Sequence, residues 1–326
     1  TGALEAPIVP GKLIVNAGVK MFALNPTKDT TGVWKGFTDA DGNPIVKDAK
    51  SFLSVTRDST IEVRGTFAAP VVMTSAQGAH MANPPADAKK TADWGGLVIN
   101  GKAKTNKCWD SMDDCTLPGE AGTGWYGGND DMHRSGSLEY LQVEYGGDRI
   151  NGDKELNGIT FNAVGLGTKV ENIAVLYNSD DCVEFFGGAV VAKNVFCYKG
   201  EDDGIDTTDG ARIFIQNGVV VAAAYPPAGD DNDRHMLEAD SSKTQDPSDA
   251  LRAHPILTNF TFVGAVNSQG FTFRRLTDYT LANSVMYGVD LWCMDPTGAN
   301  QIDLVSNVFA DCPSSDPVKS SGVNDY

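Results

Sequence analysis

Two acidic segments of this chain match residue for residue at an offset of 22. Asp180-Asp181-Cys182-Val183-Glu184 stands against Asp202-Asp203-Gly204-Ile205-Asp206, with Glu201 and Asp209 beside them. If the chain returns to the same place after each such interval in extended conformation, carboxylate stacks on carboxylate at a strand spacing of about 4.8 Å. Like charges that close repel enough to raise a pKa or to recruit a cation. Calcium accepts about six to eight oxygen ligands in flexible geometry and suits such a set. Asp180, Asp181, Glu184, Asp202, Asp203, Asp206 and Asp209 are therefore the predicted Ca2+ ligands. The plainer alternative is a solvated acidic edge that discourages sideways strand pairing.

Other groupings could carry chemistry with less specificity. A calcium-assisted polysaccharide lyase needs a cation on the uronate carboxylate and a base for the α-proton. Arg274 and Arg275, or Arg234 and His235 beside Glu238 and Asp240, could supply the base. A glycoside hydrolase needs two carboxyl groups across the scissile bond, a role Glu184 and Asp206 could mimic. Asn129-Asp130-Asp131 and the run from Asp230 to Asp233 are weaker cation candidates. Trp109, Trp125 and Tyr126 could stack on sugars or pack an insertion onto the fold. His80, His133 and His254 lie in separate segments, with no serine-elbow sequence to pair with them.

What must position these residues is a repeat. Asn172, Asn194, Asn217, Asn259, Asn283 and Asn307 are separated by 22, 23, 42, 24 and 24 residues, the long gap being one turn plus an insertion. A period in this range marks a repeat architecture. The runs after each Asn, such as Ile173-Ala-Val, Val195-Phe-Cys and Phe260-Thr-Phe, are apolar and largely β-branched or aromatic, so the unit is built of strands. Stacked coils put one Asn above the next, where the amides hydrogen-bond along the stack. The expected fold is all-β, a parallel β-helix with an Asn ladder at a buried corner. Burial there would also close the sequon at Asn259-Phe260-Thr261 to glycosylation.

The 326 residues are read as one elongated domain, because a solenoid lengthens its core without splitting it. Residues 1–50 form an amino-terminal cap and first coil, 102–136 and 225–254 are polar insertions, and 313–326 is a tail. A net charge of −17 argues against nucleic acid and anionic membrane surfaces as partners. No apolar run is long enough for a membrane span. A start at Thr1 is expected of a processed, exported chain.

Six cysteines are present, and the period orders them. Cys182 and Cys293 each follow a ladder Asn by ten residues, and Cys197 and Cys312 follow the next ladder Asn. Pairs 182–197 and 293–312 would join neighbouring coils, and Cys108 with Cys115 would close a small loop. Three local disulfides imply an oxidising compartment. Free buried thiols are the alternative, and zinc is disfavoured because no Cys-x-x-Cys occurs.

Trp94-Gly-Gly-Leu-Val-Ile-Asn-Gly-Lys-Ala, Tyr126-Gly-Gly-Asn-Asp-Asp, Leu138-Glu-Tyr-Leu-Gln-Val-Glu-Tyr-Gly-Gly, Glu155-Leu-Asn-Gly-Ile-Thr-Phe and Asp180-Asp-Cys-Val-Glu-Phe-Phe-Gly-Gly resemble a family of secreted bacterial right-handed β-helix surface proteins. The likeness runs from about Ser59 to Gly264. It implies a right-handed fold and a secreted or cell-surface location, but no reaction. The cysteine pairs lie outside the family pattern and imply extra stapling in this member.

The function expected from these readings is that of an extracellular structural or adhesive protein, capable of self-assembly into filaments. Solenoid ends are pairing surfaces, and the segment from Ala6 to Val15 could add to a neighbour's edge. The partner would be a second copy or an extracellular polysaccharide. The alternatives are a calcium-dependent lyase or hydrolase and a non-catalytic carbohydrate-binding protein.

Overall fold

In a computed structural model of the chain, the described residues are 10–24, 50–77, 89–108, 111–151, 154–224, 234–242 and 251–313. They form a right-handed parallel β-helix. A 13-stranded sheet supplies two walls, and an 8-stranded sheet supplies the third.

The long sheet is bent by one residue per coil. In Val191–Tyr198 the inward residues are Ala192, Val195 and Cys197, a spacing of three and then two. Strict alternation would give two throughout. The extra residue is Asn194, held at a left-handed φ of 58° that resets the alternation. Asn172, Asn217, Asn259 and Asn283 do the same at φ 58°, 65°, 60° and 51°. Asn enters this region more readily than other residues with a Cβ, which is why it recurs at the corner.

The ladder itself forms, but outside the core. Asn194 Nδ2 donates to Asn172 Oδ1 (2.8 Å), Asn217 to Asn194 (2.9 Å) and Asn259 to Asn217 (3.0 Å). Asn194, Asn217, Asn259 and Asn283 are exposed and Asn172 and Asn307 half-buried, so the buried corner is corrected to a solvent-facing one. The reason is local: the residue at the bend points its side chain away from the enclosed apolar faces. The Asn259 sequon is likewise exposed, with its amide committed to the ladder. Asn307 is also one position out of line, because Ser306 takes the left-handed φ (55°) opposite Asn283. Asn307 instead accepts from the Ser284 amide at 2.8 Å.

A single apolar cluster runs through the stack from Val15 to Met294, with Phe161 and Phe185 stacked at 5.0 Å. All three disulfides are formed as expected, and Cys182–Cys197 lies within this core. Among the described residues no helix is long and apolar enough to cross a membrane.

The 8-stranded sheet positions the acidic segments. Its strands Ile159–Asn162, Val183–Phe186 and Ile205–Thr208 are buried on both faces. The outer face is covered by the first insertion, whose Leu117 and Tyr126 pack on Ala163 and Phe186. Asn100 Nδ2 donates to the Thr123 carbonyl and Arg57 to those of Cys115 and Gly127, tying the cover down.

The span 225–254 is not one insertion. It contains the strand His235–Asp240, which continues the acidic sheet between Ile205–Thr208 and Gln269–Arg274. Phe214–Val221 pairs directly with Ile256–Val263, so the 42-residue interval is one enlarged coil. At the amino terminus Lys12–Asn16 and Lys20–Ala23 already pair with the coil above. Residues 25–49 of the amino-terminal cap, the tail beyond residue 313, His80, Trp109 and Asp230 to Asp233 lie outside the described residues.

Candidate functional site

One outward column of the acidic sheet reads Thr160, Glu184, Asp206, Glu238, Thr272 in successive coils. A second column, three residues earlier in each coil, reads Asn157, Asp181, Asp203, His235. Its members cap the next coil's backbone: Asp181 Oδ1 accepts from the Asp203 amide (2.9 Å), and Asp203 Oδ1 accepts from the His235 amide. A short side chain with two acceptor oxygens, set one strand spacing below a free N–H, explains Asp in this column.

Every member is shielded from solvent. Asp181, Glu184, Asp203, Asp206 and Glu238 are each less than a tenth exposed, and Asp180 is 2% exposed. Burial first, and then the charges of Asp203, Asp180 and Asp206, push the Asp181 pKa well above the ordinary carboxylate range. Burial and then Asp206 and Asp181 do the same to Glu184. The arrangement thus resists full ionisation of its own carboxylates.

The two ends of the columns differ in charge compensation. Towards the carboxyl terminus, His235 Nδ1 sits between Asp203 Oδ1 (3.1 Å) and Glu238 Oε2 (3.2 Å). Arg274 pairs with Glu238 and with Asp240 (3.3 Å), and Arg275 pairs with Asp240. Towards the amino terminus the neighbour is the neutral Asn157, whose Nδ2 donates to Glu184 Oε2 and, at 3.3 Å, to Thr160. Asn157 is 1% exposed, and its Oδ1 accepts no hydrogen bond from the described residues. Asp181, Glu184 and Asp206 bring three carboxylates together, hard oxygen donors of the kind calcium uses.

Among the described residues, four groupings bring ligand atoms within 4.8 Å of one another: Asp181/Glu184/Asp206, Asp181/Asp202/Asp203, Glu155/Asp180/Asp202 and Asp203/His235/Glu238. Six of the seven residues singled out from sequence therefore converge. Asp209 does not: it is fully buried at the next corner, held by Lys107 Nζ at 2.6 Å. Its carboxylate anchors the first insertion, as its carbonyl does by accepting from Thr105 Oγ1 and the Asn106 amide. Glu201 lies on the surface and accepts from Thr91.

The weaker candidates resolve into structural contacts. Asp131 accepts both Arg212 nitrogens (2.9 and 2.8 Å); burial works to raise its pKa, yet these bonds hold it below the usual value. His254 meets Thr280 at 3.0 Å. Tyr126 is buried against the acidic sheet, and its hydroxyl pKa is pushed well up by burial and by Asp209, Glu120 and Glu184. Trp125 is exposed at 58%. Sequence reasoning missed Asn157 and Glu155 as members of the acidic face. Asn157 precedes Asp181 by one coil, so the period itself carried the signal.

A sequence model described as the pectate-lyase-like β-helix domain matches residues 9–308. The chain belongs to this family. Comparison with curated proteins and with solved structures returned no match. Membership in the pectate-lyase-like β-helix family agrees with the parallel coils and the long apolar core.

Proposed function

We propose that the protein is an extracellular structural or adhesive β-helix, able to serve as a filament subunit, in which Ca2+ closes the acidic face and disulfides staple the coils. The observation that carries this reading is the burial of the acidic set. Carboxylates withdrawn from solvent can hold a cation that rigidifies coils, whereas a catalytic cleft must admit a polymer. Asp181, Glu184, Asp206 and the Asn157 carbonyl are the proposed inner ligands, with Asp180, Asp202 and Asp203 adjoining. Disulfides support an oxidising, extracellular location, and the resemblance noted above supports a bacterial cell surface. The test is electron microscopy and calorimetry of the purified protein with calcium and with EDTA. Filaments with calcium and a lower melting temperature in EDTA are expected. Monomers throughout would remove the filament role, and a melting temperature indifferent to EDTA would remove the ion.

A second reading is favoured by the family and by the chain Asp203, His235, Glu238 and Arg274. A histidine between two carboxylates and beside a guanidinium is a plausible acid–base group for an acidic polysaccharide, bound through the same cation. Turnover of uronate polymers to unsaturated products, abolished in His235→Ala, would support it. Binding without turnover would leave a carbohydrate-binding role.

A further inference from the structure

We propose that two copies dock head to tail so that the long sheet of one continues the long sheet of the other in the same register. This rests on the filament reading above and specifies the surface it would use. Among the described residues the long sheet ends at Lys12–Asn16 on one side and at Gln301–Val305 on the other. Between those ends the register is unbroken: Ile14 aligns with Glu62, Ser137, Lys169, Val191, Phe214, Ile256, Thr280 and Asp303. The next rung therefore puts Ile14 of one copy on Asp303 of another, Val15 on Leu304 and Asn16 on Val305.

The second arm agrees under the same translation. Lys20 aligns through Val72, Gln142, Ala174, Phe196, Val219, Thr261 and Val285 with Val308. Met21 then falls on Phe309. Both are only partly buried within a single chain, as is Leu304. The amino-terminal end also holds an apolar recess of about 220 Å³ lined by Met21, Phe22, Leu24, Phe52, Leu53 and Trp94. Leu13, Ile14 and Phe22 are exposed at one end, and Val305 and Val308 at the other.

Charge selects a second copy as the occupant. Lys12 reaches the Glu62 carboxylate diagonally, from opposite Thr60 to the residue opposite Ile14. Asp303 of the added copy would occupy the same diagonal on the free side of Lys12. Strand addition of this kind pairs main chains along a whole edge, and a contact joining different surfaces without closing a ring propagates.

The test uses the full chain, whose six native cysteines are all paired. Asn16→Cys combined with Val305→Cys is expected to give a ladder of covalent multimers on oxidation, shifting the monomer band on a non-reducing gel. Asn16→Cys with Asp303→Cys, two residues out of register and beyond disulfide reach, is expected to stay monomeric. Equal cross-linking of both variants, or dimers from either single cysteine, would overturn the register. Fibres by electron microscopy without the cross-link would overturn the register and leave the filament reading standing. Monomers under all conditions would mean the ends are closed, and would overturn both.

Discussion

Replacing Glu184 by Gln should change stability in opposite directions with and without calcium. Glu184 and Asp206 are register partners on adjacent strands, about 4.8 Å apart. Two unit charges at that distance repel by about 3.5 kcal/mol at an effective dielectric constant near 20. Asp181 adds to the repulsion, and protonation or local relaxation already relieves part of it. The Gln side chain keeps the volume and an acceptor for Asn157 Nδ2. A net gain of roughly 1–2 kcal/mol is therefore expected in EDTA, worth roughly 1.5–3 °C in melting temperature for a chain of 326 residues. In calcium the same substitution removes a charged ligand. If affinity falls about hundredfold, about 2.7 kcal/mol of ligand-derived stability goes with it, more than the gain in EDTA, and the variant melts below the wild type. Differential scanning calorimetry of both proteins in EDTA and in excess CaCl2 reads all four values. A shift of the same sign in both buffers would refute the argument, because it would mean that Glu184 acts through packing alone.

The same carboxylates set a pH dependence. Asp181 and Glu184 have folded-state pKa values raised by burial and by their neighbours, so their ionised forms oppose folding. The calcium-free protein should gain stability as pH falls through those raised values and lose it as pH rises. With calcium bound, acidification should instead weaken the ion, so melting curves in the two buffers converge at low pH. Asn217→Ala should cost roughly 2–4 kcal/mol by calorimetry. It removes the bonds to Asn194 and Asn259 and puts a Cβ without a polar group at φ 65°. Asn217→Gly should cost less, since glycine accepts the bend, and equal losses would show that the backbone contributes nothing. Replacing both Cys182 and Cys197 by Ala should cost about 3 kcal/mol from the 15-residue loop, plus a cavity term; an unchanged melting temperature would contradict this.

The period was legible because each coil repeats the same local requirement. Asn at the bend, apolar residues at fixed offsets and carboxylates one coil apart are all short-range signals, and they determined stacking, register and disulfide partners. The direction in which the ladder faces was not legible from them. Recurrence of Asn reports a left-handed backbone position, and burial is a separate property that depends on which side of the bend is enclosed. Ser306 displaced Asn307 for a related reason: either residue can sit near that corner, so the spacing alone admitted a slip by one. The cover over the acidic sheet depends on residues 115–126 returning across coils far along the chain, a contact with no local mark. His235–Asp240 was hidden in a polar stretch because His235, Glu238 and Asp240 interrupt its apolar residues, and the inward Met236, Leu237 and Ala239 form too short a run to stand out.

These gaps bear on where a cation is needed. Sequence offered seven acidic residues as one set, but the buried face divides them by how each charge is balanced. Asp209 has Lys107. Asp203 shares His235 with Glu238, and Glu238 and Asp240 share Arg274. At Asp181 and Glu184 the balance fails: burial and like charges dominate, and the neighbour in the preceding coil is the neutral Asn157. A buried carboxylate must take up a proton or meet a positive charge, because leaving it ionised and alone costs too much. Among the described residues, His235 and Arg274 stand against the carboxylates on the carboxyl-terminal side of the face, whereas Glu184 on the amino-terminal side meets the neutral amide of Asn157. Calcium is therefore proposed at Asp181, Glu184 and Asp206, and acid–base chemistry, if the protein performs any, at His235.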